Sequence, residues 1–145
     1  DGSVDRARLR EHVLGRPDAL ERLEAAIHPL VRAEEQRFIA AHAEAPLVIL
    51  DIPLLFETGG EVRCDAVLVV SADAEIQRRR VLQRSGMSDA NFAAILAKQM
   101  ADADKRVRAD FVIDTGRGLA DAEKQVDAVI DRLTDRSANG PHYAP

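Results

Sequence analysis

Three short, almost uninterrupted apolar runs limit what this chain can fold into. They are residues 47–52, 66–70 and 111–113, rich in Leu, Val, Ile and Phe. A strand with one wet face alternates polar and apolar positions. A run that does not alternate is expected where both faces are covered, as in a parallel sheet flanked by helices. Segments with helical spacing lie between the runs, so the element order predicts an α/β fold with right-handed crossovers. At 145 residues there is room for one modest core.

The helical segments are read from their apolar stripes. Residues 18–44 carry Leu20, Leu23, Ile27, Leu30, Val31, Phe38 and Ile39 at helical spacing. Pro29 has no amide hydrogen and its ring crowds the preceding turn. A break is therefore expected near His28, with a second helix starting at Pro29. Residues 73–84 read as a short, arginine-rich helix. Ser88 is placed to cap the next one, whose buried stripe would be Phe92, Ile95, Leu96, Met100, Ala103 and Val107. The last helix would bury Leu119, Ala122, Val126, Val129, Ile130 and Leu133, and residues 137–145 are expected to fray.

In open parallel sheets, ligands bind beyond the carboxyl ends of the strands. That rule picks out loops 53–60, 71–73 and 114–118. Several chemistries drop out. A phosphate-cradling loop needs glycines followed by a lysine and a hydroxyl. The lysines are Lys98, Lys105 and Lys124, and none follows a glycine. His12, His28, His42 and His142 lack ligand spacing and Cys64 is alone, so no metal ligand and no internal disulfide is assigned. There is no Gly-x-Ser-x-Gly elbow. A formal net charge of −5 argues against a general nucleic-acid partner. No apolar run approaches the roughly 20 residues of a membrane span. The lone cysteine and the lack of a readable secretory signal fit a cytoplasmic setting.

The remaining candidates each have two readings. Arg78, Arg79, Arg80 and Arg84 crowd one short segment, with Arg80 and Arg84 on a shared face. Guanidinium forks match phosphate oxygens and stabilise the charge of phosphoryl transfer; they also make ordinary surface ion pairs. Asp51, near the end of the first apolar run, can hold magnesium beside a nucleotide or cap a loop. Glu57 in the following loop is a ligand contact or a surface acid. His28 caps a helix junction or meets a substrate, with Arg32 one turn on. The segment 114–118 (Asp114, Thr115, Gly116, Arg117, Gly118) either lets the backbone approach a flat ring or simply turns the chain.

Taken in order, these pieces resemble the dephospho-coenzyme A kinases. The resemblance is carried by Ala26-Ile27-His28-Pro29-Leu30-Val31, by Asp51-Ile52-Pro53-Leu54-Leu55-Phe56-Glu57, and by the strand at residues 65–70. Gln83-Arg84, Gln99-Met100 and the stretch 105–114 complete it, and the match covers roughly residues 1 to 133. It implies a P-loop kinase-like fold, similar to nucleoside-monophosphate kinases: a three-layer parallel sheet with flanking helices, a helical substrate-binding subdomain and a lid. The implied division is a helical coenzyme A-substrate subdomain (1–45), core strands (46–74), lid and flanking helices (75–108), a core strand with the C-terminal helix (109–136) and a flexible tail (137–145).

The implied activity is transfer of the ATP γ-phosphoryl to the 3′-hydroxyl of dephospho-coenzyme A with Mg²⁺, the last step of coenzyme A synthesis. His28, Arg32, Pro53, Leu54, Leu55 and Glu57 would meet the acceptor. Arg80, Arg84, Thr115 and Gly116 would meet ATP, and Arg84 and Asp51 would serve catalysis. Two alternatives are another nucleoside or nucleotide kinase, and a non-catalytic module that binds a coenzyme A-like ligand.

Two departures from the family pattern stand out. Thr115 occupies a position where many members have Asn. The chain starts at Asp1 rather than Met, and the family's phosphate loop, first strand and usual general-base aspartate would precede it. With no phosphate loop among its residues, the 145-residue chain alone should show no ATP turnover in a coupled ADP-release assay. Clear turnover by the purified chain would refute this.

Overall fold

The proline that shapes the first helices is Pro17, not Pro29. The computed structural model describes residues 4–13 and 16–139, which group into two compact units, Asp1–Val48 and Ile49–Pro145. The first unit holds helices α1 (Arg6–Val13) and α2 (Pro17–Ala41). The Arg8 amide donates to Asp5 Oδ1 at 3.1 Å, satisfying one orphan donor of the first turn of α1. Pro17 sits at the start of α2, where its missing hydrogen costs nothing.

The break expected near His28 does not occur, because α2 continues through Pro29 for 25 residues. Pro29 removes a single intrahelical bond, and in a helix this long that loss does not outweigh propagation of the others. Ile27, Leu30, Val31, Phe38 and Ile39 keep their helical spacing but are 40–71 % exposed.

In the second unit the 53–59 turn and a 3-10 turn (Gly60–Arg63) lead into strand β1 (Leu68–Ser71). Helices α3 (Ala74–Leu82), α4 (Asp89–Leu96) and α5 (Asp102–Arg108) follow, then strand β2 (Phe111–Asp114) and helix α6 (Leu119–Asn139). The strands pair in parallel, with Leu68 opposite Phe111 and Ser71 opposite Asp114. Both ends of the ladder are clamped. At the entry, the Val67 amide donates to Asp110 Oδ2 at 2.8 Å. At the exit, the Thr115 amide donates to Ser71 O at 2.9 Å. Helix α5 contacts β1 and α6 contacts β2. Phe56, Val67, Phe92, Phe111, Ile113 and Ala122 are buried between these elements.

The α/β class with parallel pairing and flanking helices is as expected, but three details differ. Residues 47–52 are not a strand; among the described residues the sheet has two strands, and an extended segment becomes a strand only when a neighbour completes its ladder. Correspondingly, Leu68, Val70 and Val112 are not covered on both faces. The helix expected to run past residue 100 stops as α4, with Ser88 as its cap as expected (Asn91 N to Ser88 Oγ, 3.2 Å). Lys98 and Gln99 reach back only three residues, and the Met100 amide is taken by Glu57 instead of by the helix. Only Phe92 of the anticipated stripe is buried, and Ile95, Leu96 and Val107 are exposed. Finally, α6 continues through residues 137–139, since the first helix breakers are Gly140 and Pro141; residues 140–145 lie outside the described ones.

Ile113 and Val70 face each other across the ladder, yet Ile113 is 3 % exposed and Val70 61 %. Ile113→Ala should therefore cost about 3 kcal/mol, by lost transfer and a residual cavity. Val70→Ala should cost under about 0.5 kcal/mol. Urea midpoints of the two variants check this; equal losses would contradict the burial pattern.

Candidate functional site

The carboxyl ends of β1 and β2 form a rim that Thr115 and Arg80 close. The Thr115 hydroxyl donates to Ser71 O at 3.1 Å, continuing the ladder by one residue. Arg80, in the last turn of α3, grips Thr115 with both guanidinium arms. Nη1 donates to Thr115 Oγ1 at 2.9 Å and Nη2 to Thr115 O at 2.8 Å. The hydroxyl is thus donor to one strand and acceptor from the helix, which uses both of its capacities. Asp73 aims α3 at this point, capping it by accepting from the Glu75 amide at 2.9 Å.

Behind the rim, Gln125 of α6 fixes Asp114. Its Oε1 accepts from the Asp114 amide at 2.9 Å, and its Nε2 donates to Asp114 O at 3.0 Å and Asp121 Oδ2 at 2.7 Å. Asp114 Oδ1 in turn accepts from the Gly116 amide at 2.7 Å. A Cβ at Gly116 would lie 2.9 Å from that same oxygen and 3.4 Å from Ile76 Cδ1, so the tight turn needs glycine. The structure therefore brings Arg80 to Thr115 and the adjacent Gly116, across 35 residues of sequence.

The four arginines divide. Arg78 pairs with Asp89 at the start of α4, the surface reading of the cluster. Arg80 serves the rim. Arg79, within α3, and Arg84, just past its end, are both exposed, and among the described residues neither guanidinium has a hydrogen bond or ion pair. Asp51, Pro53 and Leu54 are exposed and Leu55 is half-buried. The turn that carries them is closed by Thr58 N and Oγ1 on Leu54 O (3.1 and 2.8 Å) and by Gly60 N on Leu55 O (2.8 Å). Gly59 supplies the left-handed φ of 65° that this closure requires.

Glu57 leaves that turn inward. Its Oε1 accepts from the Met100 amide at 2.7 Å and from Lys105 Nζ at 2.8 Å, while Oε2 is buried without a partner. Glu57 and Lys105 are 16 % and 18 % exposed. Burial pushes the Glu57 carboxyl up, but the Lys105 hydrogen bond and the Met100 amide outweigh it and hold the group below the usual glutamate range. One turn later Glu61 pairs with Arg108, whose guanidinium lies 4.7 Å from the centre of the buried Phe56 ring. At the other end of α5, Asp102 accepts the Ser71 hydroxyl at 2.8 Å.

In the first unit, His28 and Arg32 are exposed on α2, four residues apart and so on one helix face. Among the described residues no group of three or more His, Cys, Asp or Glu could hold a metal ion. No described helix is long and apolar enough to cross a membrane.

Ser71, Met100, Asp102, Lys105, Arg108 and Gln125 were not singled out for chemistry from the sequence. Apart from local contacts such as Asp121–Gln125, their partners lie 11 to 48 residues away, and no local pattern announces such pairs. The one available signal was the basic last turn of α5, with Lys105, Arg106 and Arg108 together.

Comparison with known proteins places the chain beside one set of kinases. The family profile described as Dephospho-CoA kinase matches residues 1–121. The Dephospho-CoA kinase of Mesorhizobium japonicum is 59 % identical over 135 residues, covering 92 % of this chain and 68 % of that protein. That of Rhodopseudomonas palustris (strain HaA2) is 50 % identical over 133 residues, covering 90 % and 67 %. The solved structure of Dephospho-CoA kinase from Campylobacter jejuni superposes with a TM-score of 0.67 at 27 % identity, over 93 % of this chain and 68 % of that one. The chain thus spans about two thirds of the length of these relatives.

The depressed Glu57 carboxyl makes a pH-dependent contribution to stability. The folded state favours the charged form, so the contribution is present above the ordinary glutamate range and is lost as pH falls through the lower folded value. Glu57→Gln should cost about 2 kcal/mol near neutrality, as expected for charge-assisted hydrogen bonds. The gap to the wild type should close as pH drops below about 4.3, where glutamate in the unfolded chain becomes protonated. Urea melts across pH 3 to 7 measure it; a gap independent of pH would mean that the charge contributes nothing.

Proposed function

The chain belongs to the dephospho-CoA kinase family, and from that premise we propose that it serves transfer of the ATP γ-phosphoryl to the ribose 3′-hydroxyl of dephospho-CoA, the closing step of coenzyme A synthesis in the cytoplasm. The observation that carries the site assignment is the rim itself. Arg80 is locked onto Thr115 at the carboxyl ends of both strands, and Arg84, one turn further on, keeps its charge unspent.

Phosphoryl transfer spreads negative charge over the oxygens of the moving group, and catalysis is mostly positioning and electrostatic stabilisation. Arg84 supplies that stabilisation. Arg80, Thr115 and Gly116 take the nucleoside end of ATP, where the absence of a Cβ at Gly116 leaves the backbone accessible. Pro53, Leu54 and Leu55, on the turn that holds Glu57, are acceptor contacts of the second unit, and His28 and Arg32 of α2 are acceptor contacts of the first.

Mg²⁺ when bound would neutralise charge on the phosphate oxygens. The exposed carboxylate of Asp51 suits it, since this ion needs only one or two protein carboxylates and takes its other ligands from phosphate and water.

The test is phosphate transfer from labelled ATP by the full gene product, with dephospho-CoA competing against nucleosides. Dephospho-CoA should be the preferred acceptor. Arg84→Ala should lower kcat by about 10²- to 10³-fold, the usual loss for one charge-stabilising donor. Arg79→Ala, at an exposed arginine of α3, should stay within about twofold. Preference for a nucleoside acceptor, or equal losses in the two arginine variants, would overturn the assignment.

A further inference from the structure

Glu57 is chemically conspicuous: a half-buried carboxylate in the turn assigned above to the acceptor. Neither of its oxygens is offered to a ligand. Oε1 already accepts from Met100 N and Lys105 Nζ, and Oε2 is buried.

What Glu57 does hold is the point where α4 gives way to α5. The amides of Lys98 and Gln99 find Ile95 O and Leu96 O, both at 3.1 Å, and the next amide, Met100, goes to Glu57. Lys105 lies one turn into α5 and donates to the same oxygen. Glu61 and Arg108 repeat the connection further along α5, and Asp102 ties the start of that helix to Ser71 at the rim. The α4–α5 junction ends the segment that begins at Arg84. Helix α5 thus spans from the carboxyl end of β1 to the 53–63 turn, with Glu57 at the crossing.

We propose that Glu57 is a positioning residue: it latches the acceptor-side turn to the α4–α5 junction through Met100 and Lys105, and itself touches neither substrate. The role in turnover rests on the kinase reading above; the latch does not.

Two measurements separate them. In the full gene product, Glu57→Gln and Lys105→Met should each raise the KM for dephospho-CoA about tenfold with a much smaller change in kcat, and the double variant should be no worse than either single one, as for residues acting as one unit. If Glu57→Gln raises KM while Lys105→Met leaves it unchanged, or if the two effects multiply, then Glu57 meets the substrate directly and the proposal fails. The second measurement needs no substrate. Hydrogen exchange at the Met100 amide should speed up about tenfold or more in Glu57→Ala, with the amides of Val112 and Ile113 in β2 unchanged. Unchanged exchange at Met100 would eliminate the latch. A wild-type protein with no transfer activity would remove the kinase reading, and the exchange result alone would then decide whether the latch exists.

Discussion

The in-register parallel pairing of β1 with β2 is the constraint on which the rest of the second unit depends. Because Ser71 lies opposite Asp114, the two chains leave the sheet side by side, and the Ser71 carbonyl can receive both the amide and the hydroxyl of Thr115. A slip of one residue would turn Phe111 and Ile113 out of the core and carry Thr115 away from Arg80. The register is held from both ends by polar contacts, Asp110 at the entry and Thr115 at the exit, and from the side by the burial of Phe111 and Ile113.

Helix α5 is short and has no buried residue, so packing of an apolar face does not hold it. Its charges do. Asp102 reaches Ser71, Lys105 reaches Glu57, and Arg108 reaches Glu61 while lying over Phe56. Fully exposed pairs of this kind would contribute little. Here Glu57 and Lys105 are mostly shielded, and removing either would strand the other in a poorly solvated place, which is the costly case. The depressed Glu57 carboxyl reports the same balance: its donors overcome the penalty of burial.

Much was legible from local chemistry. The runs at 66–70 and 111–113 marked the two paired strands because β-branched and aromatic residues crowd there with glycine or charged residues close by. Ser88 was a readable cap, and Gly116 a readable turn. Misreadings came where a local rule met a wider context. Pro29 breaks a short helix but not a 25-residue one. The apolar stripe past residue 96 had helical spacing, yet Glu57, 43 residues earlier, takes the amide that would have continued the helix. Residues 47–52 have strand composition without a ladder partner among the described residues.

By itself the amino-acid order determined the α/β class, the parallel pairing and the loops beyond the strand ends, because those follow from periodicity and turn chemistry acting over a few residues. It also carried the family, through motifs that need only be read in order. Only the tertiary structure decided that Arg80 grips the rim while Arg78 pairs with Asp89, and that Glu57 turns inward to Lys105 rather than outward to solvent. Such choices depend on side chains that meet across dozens of residues, and their energies come from shared burial that no single segment of the chain contains.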